Sequence, residues 1–233
     1  MTLAHLAHAA YHTLRVSWPT IVDSARGRLT PEVCDQRLES WSCALVTYAR
    51  IRLDVRGLEL APRDDGFVVM SNHQSHYDIP VLFQSLHRRL RMVAKTELFR
   101  IPIWGRAMRE AGMIEVDRSN RERAIESLSR AREDLRSGAN IWIAPEGTRS
   151  TSGELGEFKK GGFHLARELG AQILPIAIDG TRAVLPSKGR RVRNDCAVRV
   201  SIQAPIVPGA DETTDALIER VRSAIASGLG APG

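Results

Sequence analysis

Residues 67–83 read FVVMSNHQSHYDIPVLF. The apolar run from Phe67 to Met70 is typical of a buried strand, and the run from Ile79 to Phe83 is typical of a helix. The polar residues between them therefore form a loop that leads from a strand into a helix, and His73 lies at the end of the strand. Asp78 suits the amino terminus of the helix, where free backbone amides and the helix dipole favour a negative charge.

The spacing of His73 and Asp78 indicates a pair that can do chemistry. Asp78 follows His73 by five positions, and a tight loop brings such a pair within hydrogen-bond range. A carboxylate on one imidazole nitrogen fixes the tautomer and leaves the other nitrogen to accept a proton. This pattern predicts a general base without a nucleophile of its own. An isolated pair is more often a capping aspartate beside a histidine that only bonds to the backbone, so the rest of the chain has to decide.

Strand and helix patterns alternate from Leu53 to the end of the chain, which predicts an α/β fold with reactive loops at the strand termini. The length of 233 residues suits one substantial core. We therefore predict an α/β domain over residues 51–227 and an amphipathic helical element over residues 1–50. The glycine-rich end, residues 228–233, has the composition of a disordered tail.

Two helices are predicted within residues 1–50. Apolar residues recur at helical spacing in the first helix, and they are Leu3, Ala7, Ala10, Leu14, Trp18 and Ile21. The opposite side carries His5, His8 and His12, which we interpret as solvated surface because no carboxylate or cysteine joins them at metal-ligand spacing. Thr30 and Pro31 begin the second helix as cap and first-turn proline. Packing on the main body and contact with a bilayer surface both remain open for this pair.

Composition limits the choice of partners. The chain is 43% hydrophobic and 26% charged, with a formal net charge of +6 and a pI of about 9.7. Arginine supplies most of the positive charge, and its planar fork suits phosphate, so a phosphorylated substrate and an anionic membrane surface fit. Nucleic acid is not expected as a partner, because aromatic residues are 5% of the chain and no basic helix with interleaved aromatics is present.

The cysteines and the hydropathy indicate a cellular location. Cys34, Cys43 and Cys196 are odd in number and lack metal-ligand spacing, which fits a reducing compartment without a disulfide framework. No apolar stretch approaches the roughly 20 residues that a spanning helix requires, and no signal peptide is recognisable. We therefore expect a cytoplasmic protein.

Two further polar stretches follow apolar strands. The strand pattern at residues 90–94 ends at Lys95, and the pattern at residues 141–144 runs into Pro145-Glu146-Gly147-Thr148-Arg149-Ser150. Gly147 permits a close backbone approach to a ligand, Thr148 offers a hydroxyl, and Arg149 can grip phosphate through two hydrogen bonds. If these strands share a sheet, His73, Lys95 and Arg149 converge at one edge. The basic loop at residues 185–195 is either solvated surface or a contact for lipid headgroups.

Four segments in series resemble one family. They are NHQSHYD at 72–78, KTELFRIPIWG at 95–105, PEGTRS at 145–150 and LPIAI at 174–178. In identity, order and spacing they resemble the PlsC-type glycerolipid acyltransferases, the 1-acylglycerol-3-phosphate O-acyltransferases that carry an HX4D motif. One such motif is weak evidence, whereas four in order over about two-thirds of the chain are specific.

The resemblance implies a fold, a reaction and a set of residue roles. The fold is a mixed, largely parallel sheet flanked by helices. The reaction moves a fatty acyl group from a thioester, acyl-CoA or acyl carrier protein, to the sn-2 hydroxyl of a lysophosphatidate, giving phosphatidate, with the donor as co-substrate and no cofactor or metal. His73 matches the base and Asp78 the residue that orients it. Lys95 and Arg149 match the phosphate-binding positions, and Glu146, Gly147 and Thr148 belong to the substrate pocket.

The sequence differs from many family members before the histidine motif, where they carry spanning segments. Residues 1–50 offer two amphipathic helices instead, so we expect peripheral attachment to the inner face of the membrane through these helices. Three alternatives stay open. They are a family member with another lysophospholipid or a non-phosphorylated acceptor, a catalytically silent lipid-binding module, and a thioesterase that uses water.

Overall fold

The computed structural model describes residues 3–63, 66–116 and 121–230, which contain one seven-stranded sheet with helices on both faces. The strands are β1 (Arg52–Arg56), β2 (Val68–Ser71), β3 (Leu90–Lys95), β4 (Ile114–Val116), β5 (Asn140–Ile143), β6 (Ile173–Asp179) and β7 (Ala197–Ile202). The helices are α1 (Leu3–Ala25), α2 (Pro31–Tyr48), α3 (Asp78–Leu86), α4 (Thr96–Phe99), α5 (Trp104–Glu110), α6 (Arg121–Arg136), α7 (Lys160–Leu169), α8 (Thr181–Val184) and α9 (Thr214–Leu229).

The sheet is mixed and largely parallel, which confirms the predicted fold. Its order is β1-β7-β6-β2-β5-β3-β4. The five strands from β6 to β4 run parallel to one another. β7 pairs antiparallel with β6, and β1 pairs parallel with β7. The carboxyl ends of β2, β3, β5 and β6 consequently meet at one edge of the sheet, which is the usual place for a site in an α/β fold.

The apolar run that contains β2 is buried on both faces of the sheet. Every side chain from Phe67 to Met70 is fully buried. Phe67 and Val69 belong to the core cluster that includes α3, while Val68 and Met70 belong to the cluster on the opposite face that includes α7 and α9. A strand covered on both faces reads as a continuous apolar run, which is why the sequence pattern was recognisable.

The second N-terminal helix begins as predicted, with Thr30 as the cap whose side chain accepts a hydrogen bond from the amide of Val33 and Pro31 in the first turn. At the other end of the chain, α9 extends into the segment predicted to be a disordered tail. Gly228 is helical and lies so close to Ala177 and Gln203 that a Cβ atom would collide with both. Tertiary packing therefore overrides the composition here, and residues 231–233 lie outside the described part.

Helix α1 presents the opposite side to the protein from the one predicted, because its histidines face the protein and not the solvent. His5, His8 and His12 are half-buried rather than solvated. The ring of His8 stacks on Tyr48 of α2 with 3.7 Å between centroids, and Nε2 of His5 lies 2.9 Å from Oδ1 of Asn194. The aromatic contact with α2 and the polar contact with the basic loop favour the observed orientation, which hydrophobic periodicity alone does not encode.

Four large hydrophobic side chains of α1 are consequently exposed. They are Leu6, Tyr11, Leu14 and Trp18, each more than half accessible to solvent. The other side of the helix packs on α2 and α5. No described helix combines the length and the apolar character needed to cross a bilayer.

Candidate active site

A cavity of about 1700 Å³ opens at the sheet edge where the strands' carboxyl ends meet. Six of the seven predicted site residues line it, and they are His73, Lys95, Glu146, Gly147, Thr148 and Arg149. Asp78, the seventh, is fully buried behind His73. The predicted convergence of His73, Lys95 and Arg149 at one edge is therefore observed. The N-terminal helices complete the wall with side chains such as Thr13, Leu38 and Trp41.

The His73–Asp78 pair has the geometry of an oriented base. Nδ1 of His73 lies 2.7 Å from Oδ2 of Asp78. The same oxygen accepts hydrogen bonds from the backbone amides of Gln74 at 2.7 Å and Ser75 at 2.9 Å. Asp78 is the first residue of α3, so its carboxylate closes the loop back onto itself at the helix terminus. Because Nδ1 is engaged, Nε2 is the nitrogen available to a bound hydroxyl.

The imidazole of His73 is held on a second side by β5. Its side chain is 15% exposed, and its ring meets the indole of Trp142 edge to face at 5.4 Å between centroids. Nε1 of Trp142 in turn donates a hydrogen bond to the hydroxyl of Ser71 at the end of β2. The ring therefore has a fixed orientation between a carboxylate and an aromatic edge, while one nitrogen faces the cavity.

Side chains of the loop also extend the pairing of β2 with β6. The side-chain Nδ2 of Asn72 donates a hydrogen bond to the backbone carbonyl of Ile178 at 2.8 Å. Its Oδ1 accepts one from the backbone amide of Ile178 at 2.8 Å. Nε2 of Gln74 donates to the same carbonyl at 2.7 Å. Both side chains are buried. Their role is to fix the loop on β6, a role that follows from their pairing with backbone groups in a dry environment.

Glu146 is buried, and its carboxylate is occupied by protein. Oε1 accepts a hydrogen bond from the backbone amide of His73 at 2.9 Å, and Oε2 accepts one from the amide of Gly156 at 3.0 Å. The residue is 6% exposed. The carboxylate thus connects the backbone of His73 to the loop at Gly156, and Glu146 also lies on the wall of the cavity, as the resemblance implied. Gly147 beside it has φ +69° and turns the chain toward Arg149.

Lys95 and Arg149 supply positive charge to the cavity. Lys95 is exposed at the end of β3, and Arg149 is half-buried in the turn after β5. Across residues 3–63, 66–116 and 121–230, no carboxylate forms a salt bridge with either cation. Two cations on one cavity that lack a carboxylate partner in the described part of the chain suit an anionic ligand, and the guanidinium can bind a phosphate through two hydrogen bonds.

His76 is a cavity residue that the sequence reasoning did not single out. Although its side chain is open to solvent on one side, desolvation, together with the nearby charges of Arg149 and His73, lowers the pKa of His76 to about 4. The ring is therefore neutral at physiological pH and can donate and accept hydrogen bonds. A histidine within the quoted loop was visible in the sequence, but the spacing argument used only residues 73 and 78.

Thr181 was also missed, and no sequence signal pointed to it. Its hydroxyl donates a hydrogen bond to Oδ1 of Asp78 at 2.5 Å, across 103 positions of the chain.

Among the described residues, no group of three or more histidine, cysteine, aspartate or glutamate side chains is arranged to hold a metal ion. The site therefore consists of an oriented imidazole, a supporting carboxylate and a cationic wall.

Comparison with known proteins identifies the family of this chain. A family model described as Acyltransferase matches residues 52–179, which include the histidine loop, Lys95 and Arg149. The chain belongs to the acyltransferase family. The matched region ends before the basic loop at residues 185–195.

Relatives within the acyltransferase family share a name. A chloroplastic 1-acyl-sn-glycerol-3-phosphate acyltransferase of Arabidopsis thaliana is 37% identical over 183 residues, which are 78% of this chain and 50% of the relative. The alpha form of the enzyme from Homo sapiens is 35% identical over 174 residues, 74% of this chain and 61% of the relative. The chain thus spans about half the length of the plant relative and somewhat more of the human one.

A solved acyltransferase matches the whole fold. The crystal structure of the 1-acyl-sn-glycerophosphate acyltransferase PlsC from Thermotoga maritima superimposes with a TM-score of 0.78 at 26% sequence identity. The match covers 97% of this chain and 95% of PlsC. The α1–α2 pair is consequently part of the shared architecture, together with the sheet and its flanking helices.

Proposed function

We propose that this acyltransferase moves a fatty acyl group from a thioester donor, acyl-CoA or acyl carrier protein, to the sn-2 hydroxyl of a 1-acylglycerol-3-phosphate. The observation that carries the proposal is the His73–Asp78 pair, bonded at 2.7 Å, on a cavity that also presents Lys95 and Arg149. This arrangement offers a base for the hydroxyl of the acceptor and cations for its phosphate. The shared name of relatives in two kingdoms supports the same reaction.

The imidazole of His73 handles the proton in both halves of the reaction. Nε2 takes the proton of the acceptor hydroxyl as its oxygen attacks the thioester carbonyl carbon, which forms a tetrahedral oxyanion. Asp78 stabilises the imidazolium that results. When the oxyanion collapses, the carbon–sulfur bond breaks and the imidazolium gives its proton to the leaving thiolate. The products are the ester and the free thiol, and no acyl group becomes attached to the protein.

The cavity accommodates both ends of such a lipid. Its cationic part, Lys95 and Arg149, fits the phosphate of the acceptor. Its remaining wall is rich in apolar side chains, among them Leu38, Trp41 and Met108, which suit an acyl chain. A volume of about 1700 Å³ exceeds the roughly 300–1,000 Å³ of pockets for small compact ligands. The size thus favours a long substrate.

We further propose that α1 attaches the protein to the inner, cytoplasmic face of a membrane. Its exposed face carries Leu6, Tyr11, Leu14 and Trp18, while its opposite face lines the same cavity through Thr13 and neighbouring residues. A helix with aromatic and aliphatic side chains on an open face is typical of interfacial binding. Such attachment places the cavity close to the bilayer from which a lysophosphatidate is drawn.

Thiol release tests the proposed reaction. Acyl-CoA and acyl carrier protein donors of several chain lengths are supplied with and without lysophosphatidate to the wild type and to His73→Ala. We expect acceptor-dependent thiol release that falls by about 100- to 10,000-fold in the variant. His87→Ala, which removes an exposed histidine at the end of α3, is the control and retains activity.

Each other result identifies a different function. Release of thiol without acceptor indicates a thioesterase. Equal activity with a neutral acceptor indicates that the phosphate is not recognised. No release from any donor, with the protein folded and bound to vesicles, indicates a silent lipid-binding module.

A further inference from the structure

Asp78 is the most heavily bonded carboxylate of the site, and one of its partners comes from a distant segment. Oδ2 accepts from His73 and from two backbone amides, whereas Oδ1 has one donor among the described residues, the hydroxyl of Thr181. Asp78 and Thr181 are both fully buried. The two carboxylate oxygens therefore have different tasks, since one supports the imidazole and the other is tied to α8.

The structure around Thr181 places its hydroxyl at this point. Gly180 turns the chain with φ +92°, and a Cβ atom there would lie 2.2 Å from the carbonyl oxygen of Ala197. The chain then enters α8 with Thr181 as the first residue. At the end of α8, the carbonyl of Leu185 accepts a hydrogen bond from the hydroxyl of Ser75 at 2.7 Å. The histidine loop and α8 thus contact each other at both ends of that short helix.

We propose that Thr181 is a positioning residue that acts on the reaction through Asp78. The torsion of a carboxylate about its last bond is broad, so donors on one oxygen leave its orientation incompletely fixed. A hydroxyl on the other oxygen fixes the plane of the group and satisfies an oxygen that water does not reach. Without it, Oδ1 lacks a donor in a buried environment, and any rotation that restores one moves Oδ2 away from Nδ1 of His73.

The inference rests on the proposed function, because it assigns Thr181 a role in the same proton transfer. Thr181 lies outside the lining of the cavity, so it does not contact a substrate bound there. Its loss should therefore lower kcat and leave KM for the acceptor unchanged. A purely structural threonine predicts another pattern, in which melting temperature falls while the folded fraction keeps its kcat.

The test compares Thr181→Val, which keeps the shape and removes the hydroxyl, with Thr181→Ser, which keeps the hydroxyl. Ser85→Ala is the matched control, because its hydroxyl is also buried on α3 and donates to the carbonyl of Val81 without touching Asp78. We expect Thr181→Val to lose about 10- to 100-fold in kcat, as for a hydrogen bond to a charged group. Thr181→Ser and Ser85→Ala should remain within about threefold of wild type.

An NMR measurement gives a readout that does not need turnover. The proton between Nδ1 of His73 and Asp78 is followed in each variant. Its downfield signal should shift or disappear in Thr181→Val and stay in place in Thr181→Ser. An unchanged signal and unchanged kcat in Thr181→Val, with wild type active and His73→Ala inactive, overturn the positioning role alone. Absence of acyl transfer by wild type instead overturns the proposed function.

Discussion

The carboxylate of Glu146 accepts a hydrogen bond from the backbone amide of His73, with 2.9 Å between nitrogen and oxygen. Four residues further along, the amide of Ser150 donates to the carbonyl of His73 at 2.7 Å. The turn after β5 therefore forms hydrogen bonds with both backbone polar groups of His73, its amide and its carbonyl. In this arrangement Glu146 acts on the histidine, whereas Arg149 between the two contacts faces the cavity.

Glu146→Gln should lower kcat and leave KM for the acceptor nearly unchanged. Glutamine has one oxygen, so its amide group would oppose either the amide of His73 or the amide of Gly156. We expect kcat to fall about 10- to 100-fold and the free energy of unfolding to fall by about 1–3 kcal/mol. Steady-state kinetics and thermal unfolding measure the two effects. Glu157→Gln, an exposed change in the same loop, is the control. A raised KM with normal kcat would contradict the positioning role.

Arg149→Ala should produce the opposite kinetic pattern. If its guanidinium binds the phosphate as proposed, its removal weakens the acceptor complex, so KM for lysophosphatidate should rise about 10- to 100-fold. A neutral monoacylglycerol acceptor, if it reacts at all, should be unaffected. The kinetics of both acceptors are measured side by side, with Arg136→Ala, a change of an exposed residue at the end of α6, as the control. An equal loss of activity with both acceptors would contradict the proposal that Arg149 binds the phosphate.

The fold and the local part of the site were predictable because their signals are local. Apolar runs mark the strands, and the five-residue spacing of His73 and Asp78 closes within a single loop. The convergence of Lys95 and Arg149 with His73 follows from parallel strands, whose carboxyl ends share an edge. These inferences needed only periodicity and strand direction.

The rest depended on contacts between distant segments. Thr181 reaches Asp78 across 103 positions, and Glu146 reaches His73 across 73. No local pattern in the sequence indicates which distant residues form such hydrogen bonds. The orientation of α1 was predicted wrongly for the same reason, since its histidines contact Tyr48 and Asn194 in other segments of the chain. Periodicity shows that a helix has two faces, but the neighbours determine which face is buried.

His76 predicts a pH effect on stability. Its pKa is about 4 in the folded protein and 6.5 in the unfolded chain. Between these values the unfolded chain binds the extra proton, so this group weakens the fold as pH falls from about 6.5 toward 4. Solvent on the open side limits the effect to about 1–2 kcal/mol. Denaturant unfolding at pH 7 and pH 5 should therefore show a smaller loss in His76→Gln than in wild type. Equal losses would show that the ring protonates freely in the fold.

The proposed membrane attachment through the exposed face of α1 predicts which residues matter for vesicle binding. Deleting residues 1–50 is a poor test, because α1 and α2 also form a wall of the cavity. Leu14→Ser combined with Trp18→Ser changes only the open face, where these side chains are 51% and 57% exposed. Each half-buried side chain contributes about 1 kcal/mol to insertion, so the double variant should bind roughly 30-fold more weakly.

Co-sedimentation with anionic vesicles measures this loss, and activity on a lysophosphatidate dispersed below its aggregation concentration should be retained. Leu58→Ser combined with Val207→Ser is the control, since these residues are 43% and 67% exposed and lie near the opposite edge of the sheet, after β1 and after β7. If the protein bound lipid nonspecifically, through exposed hydrophobic side chains anywhere on its surface, both double variants would lose affinity. Selective loss in the α1 variant instead shows an oriented contact, because only an oriented protein presents one helix face, and with it the cavity behind that helix, to the bilayer.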